Sequence, residues 1–110
     1  MKRESLLNRV VASLMHLFSL VFTFVLPVLV YLGTKNRNKY FAEHAKEGMN
    51  LHFTFFPIFL FFNLVSLKWS VVSAFSYGLI ILETILILIA VVYTLKGKKF
   101  SYPVIRYFKV

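Results

Sequence analysis

The sequence predicts an all-α, polytopic integral membrane protein, with three transmembrane helices and an amphipathic interfacial helix between the first and second. Two observations carry that reading. Apolar runs at 10–32, 49–67 and 70–95 fill most of the 110 residues, and Glu83 is the one charged side chain inside them. Each run matches or approaches the ~20 residues that a helix needs to cross a bilayer. The chain is also 59% hydrophobic, and a soluble domain this small buries only about 60–70% of the surface its unfolded chain exposes. The length allows a single membrane domain over 1–110.

Each element has a local reason. The first run is too long for the h-region of a cleaved signal peptide and has no small-x-small site after it, so it reads as a retained span. Pro27 lies inside it and frees the carbonyl of Thr23, which predicts a kink. Residues 34–48 form the sizeable polar connection, and their second half, 40–48, reads as the interfacial helix. Phe41, Ala45 and Met49 recur at i, i+4 and i+8, and Glu43 can pair with Lys46. The second run is rich in phenylalanine and carries Pro57, a second predicted kink. Lys68 and Trp69 mark a tiny turn at headgroup level, so the second and third spans form an antiparallel hairpin. The tail, 96–110, is basic and aromatic.

The formal net charge is +9, from 13 Lys+Arg and 4 Asp+Glu. These cations flank the apolar runs, which points to anionic lipid headgroups and not to nucleic acid. With three spans, Lys2, Arg3, Arg9 and Lys68 share one side. The larger set (Lys35, Arg37, Lys39, Lys46, Lys96, Lys98, Lys99, Arg106 and Lys109) shares the other. The positive-inside rule then places the N-terminus outside and the C-terminus in the cytoplasm of a multi-pass cell-membrane protein.

Polar side chains within the spans are the first functional candidates, because lipid cannot satisfy them. Ser13, His16, Thr23 and Pro27 share one face of the first span; His52 and Asn63 share a face of the second; Ser76, Glu83 and Ala90 share a face of the third. Depth groups His16, Asn63 and Glu83 into an intramembrane polar cluster, with Glu83 bonding His16 or Asn63. The same count assigns His52 to the loop-side surface with Asn50 and His44. A structural role for Glu83 is set against a proton or cation relay. Ser70, Ala74 and Gly78 form a stripe of small residues suited to close helix approach.

No cysteine is present, and no phosphate loop, nucleophile elbow or HExxH pattern occurs. The reading is therefore of a non-enzymatic protein with no cofactor and no metal site.

Three segments together resemble a known family. They are Met15-His16-Leu17-Phe18 with Pro27-Val28-Leu29-Val30-Tyr31-Leu32; Tyr40 to His52; and Gly97 to Arg106. The specific part is Phe41-x-x-His44-Ala45-Lys46-Glu47, then a small residue, a large apolar one and Asn50. This resembles the small bacterial membrane proteins of unknown function grouped with the twenty-kilodalton Tic subunit of the chloroplast import translocon. The resemblance implies a membrane component acting through a membrane-protein partner or a homo-oligomer. It also directs attention to one docking patch: Phe41, Glu43, His44, Glu47 and Asn50 on the interfacial helix, with Tyr102, Pro103 and Arg106 in the tail. There the tail docks on the helix and Arg106 pairs with Glu43 or Glu47. A small oligomeric channel or transporter is the alternative, and membrane immunity against a bacteriocin is a third reading.

Overall fold

Helix α1 (Leu6–Phe22) starts at Ser5, whose side chain accepts a hydrogen bond from the Asn8 backbone N–H at 3.2 Å. The structure is a computed structural model and describes residues 5–98, 100–104 and 107–108. Helix α2 (Val25–Thr34) follows after only two residues. Pro27 is the third residue of α2. It cannot bond the Thr23 carbonyl, and its ring crowds that position. The outcome is a break instead of the predicted kink: Thr23 adopts φ 53° and ψ −131°. Positive φ is strained for a β-branched residue.

The chain reverses at this break. Pro27 faces Gly48, Phe24 packs on Phe53 and Phe56, and the Lys46 ammonium lies over the Tyr31 ring at 5.8 Å. Helix α2 therefore runs antiparallel to α3 (Lys39–Ser66), whereas α1, with His16 at His44 and Thr23 beside His52, runs parallel to it. So α1 and α2 form a hairpin that enters the bundle and returns. They have 17 and 10 residues, about 26 Å and 15 Å, and each is short of a hydrocarbon core of about 30 Å.

The expectation of three spans is corrected accordingly. Two helical segments are long and apolar enough to cross a membrane: Lys39–Ser66 and Ser70–Leu95. The second comprises a 3-10 turn (Ser70–Val72) and α4 (Ser73–Leu95). The separate interfacial helix is corrected too. Asn38 caps α3 by accepting from the Phe41 N–H at 3.2 Å, and the helix then continues through Gly48 and Pro57 for 28 residues. Nothing between 40 and 50 breaks a helix except Gly48, and its missing side chain is used for packing. Glu43 pairs with Lys39 at 3.8 Å, one turn back, instead of with Lys46.

The hairpin also revises which chain ends lie together. The Arg9 guanidinium donates to the Leu95 carbonyl at 2.8 Å, and the Ser13 hydroxyl reaches the Val91 carbonyl at 3.4 Å. The start of α1 and the end of α4 thus share one end of the bundle, and the Lys68 turn is at the other. The three-span expectation had put the N-terminal head on the side of that turn. Among the described residues, Lys68 is the one cation at the turn end. Arg9, Lys35, Arg37, Lys39, Lys46, Lys96 and Lys98 belong to the opposite half.

The molecule measures 53 × 25 × 20 Å. Leu51, Phe55, Ile87, Ala90 and Tyr102 form the buried cluster, and Leu20, Leu79, Leu86, Val91, Phe100 and Val104 pack around it. Ser76, Ile87, Ala90 and Thr94 are the buried positions of α4. The stripe Ser70, Ala74 and Gly78 faces outward instead, and a Cβ at Gly78 would meet nothing within 4 Å. Beyond the hairpin tip, α3 and α4 continue alone and turn Phe61, Leu64, Phe75 and Tyr77 outward.

Gly48 lets the hairpin seat. A Cβ there would lie 2.9 Å from Pro27 Cγ and 3.1 Å from Pro27 Cβ, both in a rigid ring. Gly48→Ala gains about 1 kcal/mol of helix propensity but overpacks the contact at a cost of about 1–3 kcal/mol. The expected outcome is a lower thermal midpoint in detergent, and a rise would contradict the contact.

Candidate functional site: a buried polar seam closed by the tail

The seam follows from how α4 ends. Gly97, at φ 76°, closes a C-terminal motif in which the Lys98 N–H bonds the Tyr93 carbonyl (2.9 Å) and the Gly97 N–H bonds that of Thr94 (3.0 Å). The chain then folds back over α3. Phe100 packs edge-on against Tyr93 and Tyr102, and Tyr102 sinks to 2% exposure.

Two residues of α3 hold the tail through its backbone. Glu47 Oε1 accepts from the Tyr102 N–H at 3.2 Å. Asn50 makes a matched pair: its Oδ1 accepts from the Phe108 N–H, and its Nδ2 donates to the Phe108 carbonyl, both at 2.8 Å. That amide imitates the pairing of a neighbouring strand. Both side chains are buried, so the bonds form in a medium where leaving them unmade would be costly.

The Tyr102 hydroxyl then reaches His16 Nδ1 at 3.0 Å, and His16 Nε2 reaches His44 Nδ1 at 3.0 Å. Burial, followed by the Glu47 and Glu83 carboxylates, pushes the Tyr102 phenol well above its ordinary pKa, so it stays protonated. Its proton needs an acceptor, and His16 Nδ1 supplies one. We therefore assign the phenol as donor to His16 Nδ1 and the His16 Nε2–H as donor to His44. Tyr40 closes the row with its ring 4.6 Å from that of His44.

Deeper in the bundle, His52 Nδ1 lies 2.8 Å from Glu83 Oε1. His52 is buried, and its Nε2 has no hydrogen-bond partner among the described residues. The pair borders a half-enclosed cavity of about 230 Å³ between the hairpin tip, α3 and α4. Farther on, the Ser76 hydroxyl donates to Asn63 Oδ1 at 3.4 Å, a weak link.

The predicted site residues are thus regrouped. His16, Asn63 and Glu83 do not meet: each bonds a different partner at a different depth. The reason is the break at Thr23, which stops α1 before it reaches the level of Asn63. His52 belongs to Glu83 and not to the loop-side surface. In the predicted patch, His44, Glu47, Asn50 and Tyr102 do come together. Phe41 is half-buried beside Tyr40, Glu43 faces Lys39, and Pro103 is exposed at the rim of an open groove with Thr54 and Leu82. Arg106 lies outside the described residues, and its pairing with Glu43 or Glu47 with it. Among the described residues, no three His, Cys, Asp or Glu side chains are grouped so as to hold a metal ion. Sequence reasoning missed Arg9 as a cap on the α4 C-terminus and Ser19, whose buried hydroxyl returns to the His16 carbonyl at 2.6 Å.

A helical pair long enough to cross a membrane, an inserted hairpin and a polar interior closed by the chain's own tail define a small helical membrane protein. The chain belongs to the MamF/MmsF family, described as the magnetosome magnetite crystal formation protein family, which matches residues 7–108. No curated protein and no solved structure matches it. The family corrects the resemblance to the Tic-type proteins, because the segments that suggested it fall within this match. Their shared residues have packing duties here: Ala45 is buried under the hairpin, and Glu47 and Asn50 anchor the tail.

Tyr102→Phe leaves His16 Nδ1 without its donor, an expected loss of about 1–3 kcal/mol in detergent unfolding. Asn50→Ala should leave the helices intact and speed hydrogen exchange at the Phe108 amide. Unchanged exchange would show that Asn50 does not hold the tail.

Proposed function

We propose that this protein is a non-enzymatic integral membrane component of magnetite crystal formation, acting by assembly with membrane partners or further copies of itself. The match of the magnetosome family to residues 7–108 carries the reading. The site is in keeping with it, since Tyr102, His16, His44, Glu47 and Asn50 are engaged with one another or with the tail backbone. Residues 57–82, which include the turn end, contain no carboxylate that could meet a growing mineral or its metal ions. Removing the protein from a magnetite-forming host should change crystal size or number, with restoration by the intact chain. Normal crystals without it would sink the proposal.

The orientation proposed is with both chain ends in the cytoplasm. Among the described residues, seven cations (Arg9, Lys35, Arg37, Lys39, Lys46, Lys96 and Lys98) belong to the half that holds those ends, against Lys68 at the turn. Such an asymmetry is the usual mark of the cytoplasmic side, where anionic headgroups are its partners. Reporters fused to either end should both be active in the cytoplasm, and activity on opposite sides would refute the inserted hairpin. A conducting pathway is less favoured, because the seam thins to one long Ser76–Asn63 contact beyond Glu83.

A further inference from the structure

We propose that the cavity beside Glu83 is a binding site for the hydroxylated ring of a membrane-dissolved aromatic amphiphile of the quinol class. The proposal rests on the membrane setting and not on the mineral-forming role. The cavity, about 230 Å³, is lined by Leu20 and Thr23 at the hairpin tip, His52 and three phenylalanines of α3, and Ile80, Glu83 and Thr84 of α4. An apolar cavity of about 150 Å³ accepts benzene, so this one has room for a substituted ring. Phe55, Phe56 and Phe59 offer ring faces and edges to such a guest. Phe56 and Ile80 are exposed at the mouth, so entry is from the lipid.

The polar groups select the chemistry of the guest. Glu83 accepts from His52 through Oε1, and among the described residues no other hydrogen bond or ion pair reaches its carboxylate, while its side chain remains 20% exposed. Buried His52 fixes that carboxylate from behind, and a carboxylate at this depth gains from a hydroxyl donor. Thr84 is committed elsewhere, its hydroxyl bonding the Ile80 carbonyl at 2.7 Å. Thr23, at its strained backbone position, also lines this space, and a threonine hydroxyl can serve a second oxygen of the ring. One hydroxyl donor, one further oxygen and a flat apolar body describe a quinol. A plain acyl chain would fill the cavity but give the carboxylate no donor beyond His52.

The test uses the full-length protein in dodecyl maltoside, with decylubiquinol as probe and its dimethyl ether as control, reading the thermal midpoint. Decylubiquinol should raise the midpoint saturably, and the ether should need at least tenfold more. Glu83→Gln should weaken the response about tenfold. Ile80→Phe, which fills the cavity without touching the polar pair, should abolish it in a protein of normal helicity, and it carries the test if the Glu83 variant does not fold. No saturable rise, an equal rise with the ether, or an unaltered response in Ile80→Phe overturns the site. A protein that leaves the membrane without detergent overturns the membrane setting together with it.

Discussion

The reversal at Thr23 and Phe24 is the constraint on which the remaining architecture depends. A proline three residues into α2 deprives Thr23 of its helical partner, and the chain answers by turning back. Because it turns back, α2 lies on α3 with Pro27 seated on Gly48, and α1 lies on α4 with Arg9 capping the Leu95 carbonyl. Because the chain turns back, α1 runs parallel to α3, and His16 lies at the level of His44 and the tail. The backbone strain at Thr23 sits at the hairpin tip, where it also borders the cavity. A straight first helix would cross the bilayer, separate the two chain ends and remove His16 from Tyr102.

A second consequence concerns how polar groups are satisfied in an apolar surrounding. Lipid supplies no hydrogen bonds, so partners must come from within the chain. Helices α1, α3 and α4 each bring one polar stripe, but the stripes do not pair only with one another. The tail supplies a phenol, two backbone N–H groups and a carbonyl to the seam. It acts as a fourth wall in the half of the bundle that holds the chain ends. In the other half, which none of the described tail residues reaches, the contact between α3 and α4 is almost wholly apolar, with the Ser76–Asn63 bond as its polar link.

Much of this was legible in the sequence, for local reasons. Apolar runs and sparse charge announced a helical membrane protein. The Tic-type resemblance singled out His44, Glu47 and Asn50, which lie three residues apart on one side of α3, and the tail does dock there. The first run misled because composition reports apolarity and not direction: a proline within an apolar helix can kink it or end it, and tertiary packing decides which. The pairing of His52 with Glu83 was available but unread. A short turn fixes the register of an antiparallel pair. His52 lies 16 residues before Lys68 and Glu83 lies 15 after it, so the two face each other. Counting depth within isolated spans, with a false boundary at residue 49, concealed this.

The inserted hairpin also gives the protein a shape. One half of its length holds four helices and a folded tail, whereas the other holds two. Embedded in a bilayer, such a body displaces more area from the leaflet around the chain ends than from the leaflet around the turn. It is a wedge, and it fits with least distortion where the wider leaflet is the convex one. In the orientation proposed above, with the chain ends in the cytoplasm, the wider leaflet is the cytoplasmic one, which is convex wherever the membrane curves toward the cytoplasm. Copies crowded into such a membrane would favour a radius set by the taper of a single chain.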